Sequence, residues 1–129
     1  MRVLKLVSFD KFAQKNDISD AALYEAVERA EKGLIDADLG DGVIKQRIAR
    51  KGKGKRSGFR TIIIIRSMEY AFFIYGFAKS ERGNIRRDEQ AAIKNLAPIL
   101  LELTEEGIDA LIKDGSYMEV KQNGKTIQE

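Results

Sequence analysis

The sequence predicts an α+β fold: a small antiparallel sheet of about four strands, N-terminal helices packed on it, and a C-terminal helical segment. Three observations carry that expectation. Three strand-like stretches follow one another between residues 43 and 78, as in an antiparallel meander. Helical periodicity precedes and follows them. A further apolar alternation opens the chain at Arg2–Val7. With 129 residues, the chain is expected to form one domain, 1–129, with 121–129 a frayed tail.

Each element has a local reason. In the first strand Val3, Lys5 and Val7 alternate with Leu4 and Leu6. Phe9 and Phe12, three apart, suit a short helix or turn leading to Asn16. Ser19 is an N-cap residue, and Ile18 and Leu23 can staple the helix that follows. That helix, Asp20–Lys32, lays Leu23, Ala26, Val27 and Ala30 on one face and stops at Gly33. Residues 34–42 read as an acidic, glycine-closed loop. Val43–Ala49 puts Ile44 and Ile48 on one side, Lys45 and Arg47 on the other. Phe59–Arg66 is apolar on both faces and belongs inside the sheet. Tyr70–Ala78 pairs with it through a turn at Ser67-Met68-Glu69. Asn84 is the expected cap of the next helix, whose stripe runs Ile85, Ala92, Ile93, Leu96, Leu100 and Leu103. Pro98 inside that stripe predicts a kink or break near Asn95. Thr104 caps a last helix ending at Lys113 and Gly115, and Tyr117–Val120 reads as an edge strand.

Composition narrows the chemistry. The chain has no histidine and no cysteine, so Ser-His-Asp and Cys-His catalysis are excluded and a transition-metal site is not expected. No cofactor is expected. The longest apolar run, Ile62–Ile65, is far short of a membrane span, and no signal peptide is recognisable. Together with the missing cysteines this predicts a cytoplasmic protein with no membrane partner.

Charge is segregated. Between Asp41 and Glu69 there is no acidic residue, yet Lys45, Arg47, Arg50, Lys51, Lys53, Lys55, Arg56, Arg60 and Arg66 lie there. The overall net charge is only +3, so the remainder of the chain is net negative. Such separation points to a polyanionic partner, against the alternative of a basic face serving solubility alone. The stretch "RKGKGKRSGFR", 50–60, reads as a glycine-spaced cationic loop feeding an interior strand. It is not a Walker motif: Gly54-Lys55 is followed by Arg56 and then by a strand.

Arg60 begins the interior strand on the face of Ile62 and Ile64. It can clamp a phosphate bidentately or pair with a carboxylate elsewhere in the fold. Tyr75, Phe77 and Lys79 share a face of the following strand and could stack a base and grip its phosphate, although Phe72 and Phe77 read first as core. RNA carries its own nucleophile, the 2′-hydroxyl. A lysine crowded by other cations has a lowered pKa and can serve as general base, while arginines neutralise the pentacoordinate phosphate.

The element order and two linked segments resemble the RelE/ParE superfamily of toxin–antitoxin toxins, in its RelE-like, HigB-like branch. The segments are "GLIDADLGDGVIKQRIARKGKGKRSGFRT", 33–61, and "AFFIYGFAKSERGNI", 71–85. The resemblance implies a RelE-like fold and a type II toxin: an endoribonuclease that cuts messenger RNA at the ribosome, without a metal, and is blocked by a cognate antitoxin. It places Lys51, Lys53, Arg60 and Arg82 as catalytic residues, with Lys79 positioning the backbone. Lys45, Arg47, Arg50, Lys55, Arg56, Tyr75 and Lys79 are then the expected RNA contacts. Glu81 is expected in a salt bridge. Two positions depart from the pattern: Ser80 stands where ribosome-dependent members have an arginine, and Arg86 where they have a tyrosine. The alternatives are a ParE-like toxin that inhibits a topoisomerase without cutting RNA, and a plain RNA-binding module.

Overall fold

The computed structural model describes residues 1–50, 54–81 and 83–122, without the side chains of residues 54–57. Six strands and four helices alternate through them: β1 Arg2–Leu6, α1 Val7–Lys15, α2 Asp20–Glu31, β2 Ala37–Gly40, β3 Val43–Arg50, β4 Gly54–Arg66, β5 Tyr70–Ala78, α3 Arg87–Leu101, α4 Glu105–Lys113 and β6 Tyr117–Glu119. The strands form one sheet in the order β2-β3-β4-β5-β1-β6. All neighbours are antiparallel except β1 and β5, which run parallel from Arg2 opposite Tyr70 to Lys5 opposite Phe73. The α+β expectation holds, but the sheet is mixed and has six strands rather than about four antiparallel ones.

β4 lies deepest because its middle is apolar on both faces. Ile62, Ile63 and Ile64 are completely buried, each stabilising the fold by roughly 1.5–3 kcal/mol relative to exposure. Alternation divides them between two cores. Ile63 joins Phe9 and Ala13 of α1 with Leu23, Ala26 and Val27 of α2. Ile62 and Ile64 join Ile93, Ala97 and Leu100 of α3 with Ile108 of α4. The N-terminal and C-terminal helices therefore cover opposite faces of the sheet.

Several local expectations are met. Ser19 Oγ accepts from the Ala22 amide at 3.1 Å, Thr104 Oγ1 accepts from the Gly107 amide at 3.1 Å, and β5 spans the expected residues. Others need correction. Residues 37–40 form a strand, closed onto β3 by Asp41 and Gly42, both at positive φ. That is the Asp-Gly hairpin turn, whose backbone twist matches its flanking strands. β4 begins at Gly54, so most of the expected cationic loop is strand. α3 starts at Arg87, not after Asn84: Glu89 reaches back to the Arg86 amide at 2.8 Å and closes a capping box.

Pro98 does not break α3, which runs unbroken through it to Leu101. Pro98 lies on the exposed side, so its ring and missing N–H disturb no core contact. Behind it the helix end is held by β-sheet side chains. Arg66 Nη1 donates to the Leu101 carbonyl at 2.9 Å, and the Tyr70 hydroxyl lies 2.8 Å from the Leu103 carbonyl. Among the described residues no helix is long and apolar enough to cross a membrane.

Candidate nucleic-acid interface

Strand register assembles side chains from three strands on the α3/α4 face. Arg47 of β3 sits opposite Arg60 of β4, which sits opposite Phe77 of β5. One step along, Lys45, Ile62 and Tyr75 make a second row. Antiparallel neighbours on one face lie within side-chain reach of each other. Three cations and two aromatic rings are thus gathered on a rigid sheet.

Arg60 is the unusual member. Its side chain is only 6% exposed, and Nη1 has no hydrogen-bond partner. Among the described residues it makes no ion pair, so the alternative of a structural salt bridge is not realised there. Burial lowers its pKa, the like charge of Arg47 lowers it further, and Asp36 opposes both. A buried cation held without a counter-ion costs stability, and that cost is recovered when an anion arrives.

Arg47 Nε is likewise buried without a hydrogen-bond partner, but a carboxylate lies close by. Asp36 accepts the Arg47 amide and lies 3.6 Å from its Nε, and Arg29 Nη2 donates to the Arg47 carbonyl at 2.6 Å. Asp36 is itself set by Gln46, whose side-chain oxygen accepts from the Asp36 amide at 3.0 Å. The Gln46 amide nitrogen donates to the carbonyls of Ala26 and Leu34, at 2.9 and 3.1 Å. Gln46 is fully buried on the α1/α2 face, so a satisfied polar core residue on one side positions the carboxylate that moderates the cations on the other. Sequence reading passed over both residues. The available signal was a glutamine at a core position between Ile44 and Ile48.

Lys45 Nζ donates to Asn84 Oδ1 at 3.1 Å, which ties the second row to the segment entering α3. Asn84, expected as a helix cap, is thereby a strut. Tyr75 is half-buried and its ring centroid is 6.2 Å from that of Phe77, while Phe72 and Phe77 are core as expected. Lys79 is exposed just past β5, and its amide donates to the Gly58 carbonyl at 3.2 Å. Gly58 is required at that spot, since a Cβ there would lie 2.2 Å from the Ile48 carbonyl oxygen.

Arg50 does not join the group. The β3–β4 register shifts between Ile48 and Arg50, and the Arg50 guanidinium sits 5.1 Å above the ring of Phe59, in the α1/α2 core. Even spacing along β3 already puts residue 50 on the face of Ile44 and Ile48, opposite Lys45 and Arg47. Lys55 and Arg56 belong to β4 by their backbone. Lys51, Lys53 and Arg82 lie outside the described residues. The two departures are visible: Ser80 is exposed after β5, and Arg86 contacts Asp88 at 3.2 Å and Glu89 at 3.5 Å in the first turn of α3. Among the described residues no cluster of acidic side chains could hold a metal ion.

A family model described as the RelE toxin of the RelE/RelB toxin–antitoxin system matches residues 1–120. The chain belongs to that family, which implies an antitoxin partner. The comparison with curated proteins gave no match.

Proposed function

We propose that this RelE-family toxin is a metal-independent endoribonuclease that cuts messenger RNA on the ribosome and so stops translation. The observation that carries the reading is Arg60: a buried guanidinium with an unpartnered Nη1, set by register between Arg47 and Phe77. Such a group suits a phosphate bidentately better than it suits the fold's stability.

The 2′-hydroxyl attacks the adjacent phosphorus, the 5′-oxygen of the next nucleotide leaves, and a 2′,3′-cyclic phosphate and a 5′-hydroxyl end result. One of Lys51 and Lys53 takes the 2′-hydroxyl proton, and a protonated neighbour returns one to the leaving oxygen. Arg60 and Arg82 neutralise the pentacoordinate phosphate, where added negative charge develops. Lys45, Arg47, Lys55, Arg56 and Lys79 hold flanking phosphates, and Tyr75 offers a ring for a base. Arg50, turned to the other face, is left out of this set. The antitoxin then acts by covering this cationic face or displacing the helices beside it, with an acidic, partly disordered segment as the fitting shape.

The test uses translating ribosomes programmed with a defined messenger RNA, wild-type protein and Arg60→Ala, with new RNA ends mapped by primer extension. Cuts from wild type alone, and only with ribosomes, are expected. Cuts in ribosome-free RNA would make the protein a free ribonuclease. No cuts from folded wild type would sink the nuclease reading in favour of a binding toxin of the ParE kind.

A further inference from the structure

Beside the two rows lies a groove of about 560 Å³, lined by Ile85, Arg87, Gln90, Ala91 and Lys94. Four of these residues stand at i, i+3, i+4 and i+7 along α3, which is one face of a helix. That face adjoins the buried stripe of Ile93, Ala97 and Leu100. Its chemistry is one-sided: two cations, an amide and a small residue between them, with no carboxylate lining the groove among the described residues.

Neither cation is committed. Arg87 is exposed and makes no ion pair among the described residues. Among the described residues Lys94 Nζ has only Asp41, at 4.0 Å, and the Asp41 side chain is 75% exposed at the tip of the Asp-Gly turn. A pair so long and so wet stabilises little and yields readily to another anion. The groove is also continuous with the candidate site. Asn84 Oδ1 accepts from Lys45 Nζ at 3.1 Å and from the Ile85 amide at 2.8 Å, so one side chain links the Lys45 row to a wall of the groove.

We propose that this groove is a second subsite that holds the RNA strand flanking the cleaved bond, with Arg87 and Lys94 each on a phosphate and Ala91 letting the backbone lie close to α3. The inference rests on the ribonuclease reading and extends it: the RNA path runs from Arg60 past Lys45 and along the helix. An extended phosphodiester chain fits the spacing, because Arg87 and Lys94 are two helical turns apart, about 10 Å along the axis.

The test is binding of two uncleavable 2′-O-methyl RNAs, a trimer and a dodecamer, to wild type and to Arg87→Gln/Lys94→Gln, across a salt series. The expected result is a dodecamer affinity lowered roughly tenfold at low salt, with the salt slope reduced by about 1.4, the share of two phosphates on a single strand. Trimer affinity, and in a separate assay the cleavage rate on ribosomes at saturating messenger RNA, are expected to stay at the wild-type level. An unchanged dodecamer affinity and slope would overturn the subsite while leaving cleavage, and the ribonuclease reading, intact. Equal losses for trimer and dodecamer would also overturn it, showing a general field effect. If polyglutamate instead bound with the same sensitivity to the two substitutions and RNA did not, the groove would belong to an acidic protein segment. Wild type that neither binds the dodecamer nor cuts messenger RNA on translating ribosomes would remove the ribonuclease reading itself.

Discussion

Two buried cations sit on opposite faces of the sheet and are treated in opposite ways. Lys5, on β1 under α1 and α2, has Asp10 at 2.7 Å and Asp20 at 2.9 Å. Burial opposes its charge, but donation to the two carboxylates and their negative charge outweigh that and raise its pKa. Arg60, on the α3/α4 face, has no carboxylate partner among the described residues and has Arg47 beside it, and its pKa is lowered. The first arrangement binds one strand to two helices. The second leaves a charge without a counter-ion among the described residues. Burial alone therefore does not separate structural from functional charges; the presence of a counter-ion does.

The contrast can be broken most severely at Arg60. Arg60→Met is expected to lower RNA cleavage at least 100-fold, the scale of losing a transition-state donor, read as initial rates of new-end formation. Lys5→Met should leave that rate unchanged but cost about 3–5 kcal/mol, because Asp10 and Asp20 lose their shared cation. Urea denaturation would show it, and a loss below 1 kcal/mol would mean that the cluster is not structural. A smaller effect of opposite sign sharpens the comparison: Arg60→Met is expected to be neutral or more stable by about 1 kcal/mol, since an uncompensated buried charge is removed. Strong destabilisation by that substitution would place Arg60 with Lys5 instead.

The least effect concerns pH. Lys5 holds its proton more tightly folded than unfolded, so its contribution is complete below its ordinary value of 10.5. It is lost as pH rises through the higher folded value. The urea midpoint of wild type should therefore fall more steeply than that of Lys5→Met as pH rises above 10.5. Parallel slopes would remove Lys5 from the alkaline transition.

Legibility from sequence followed the range of the interaction. β5, the Ser19 and Thr104 caps and the face of Arg60 were readable because alternation and capping are local. The hairpin at Asp41-Gly42 carried a strong turn signal, but its four-residue strand has weak alternation and was read as loop. The burial of Lys5 carries no local signal, since its partners arrive from α1 and α2. Arg50 was grouped by charge with Lys45 and Arg47, although alternation puts it on the face of Ile44 and Ile48. Gln46 and Asp36 act through the Ala26 and Leu34 carbonyls, contacts that no spacing announces. Pro98 was read by its intrinsic cost, whereas a buried stripe on α3 and the Arg66–Tyr70 cap outweighed it.

The parallel pairing of β1 with β5 also governs when the protein can exist. Arg2 waits for Tyr70 before its strand has a neighbour, and Tyr117 closes the other side against Leu6. Contacts between such distant parts of a chain form late and slowly. During synthesis the first strand leaves the ribosome long before its partner, and the last strand seals the edge only after α4 has emerged. A chain built in this order completes its sheet only once nearly all of it has been released.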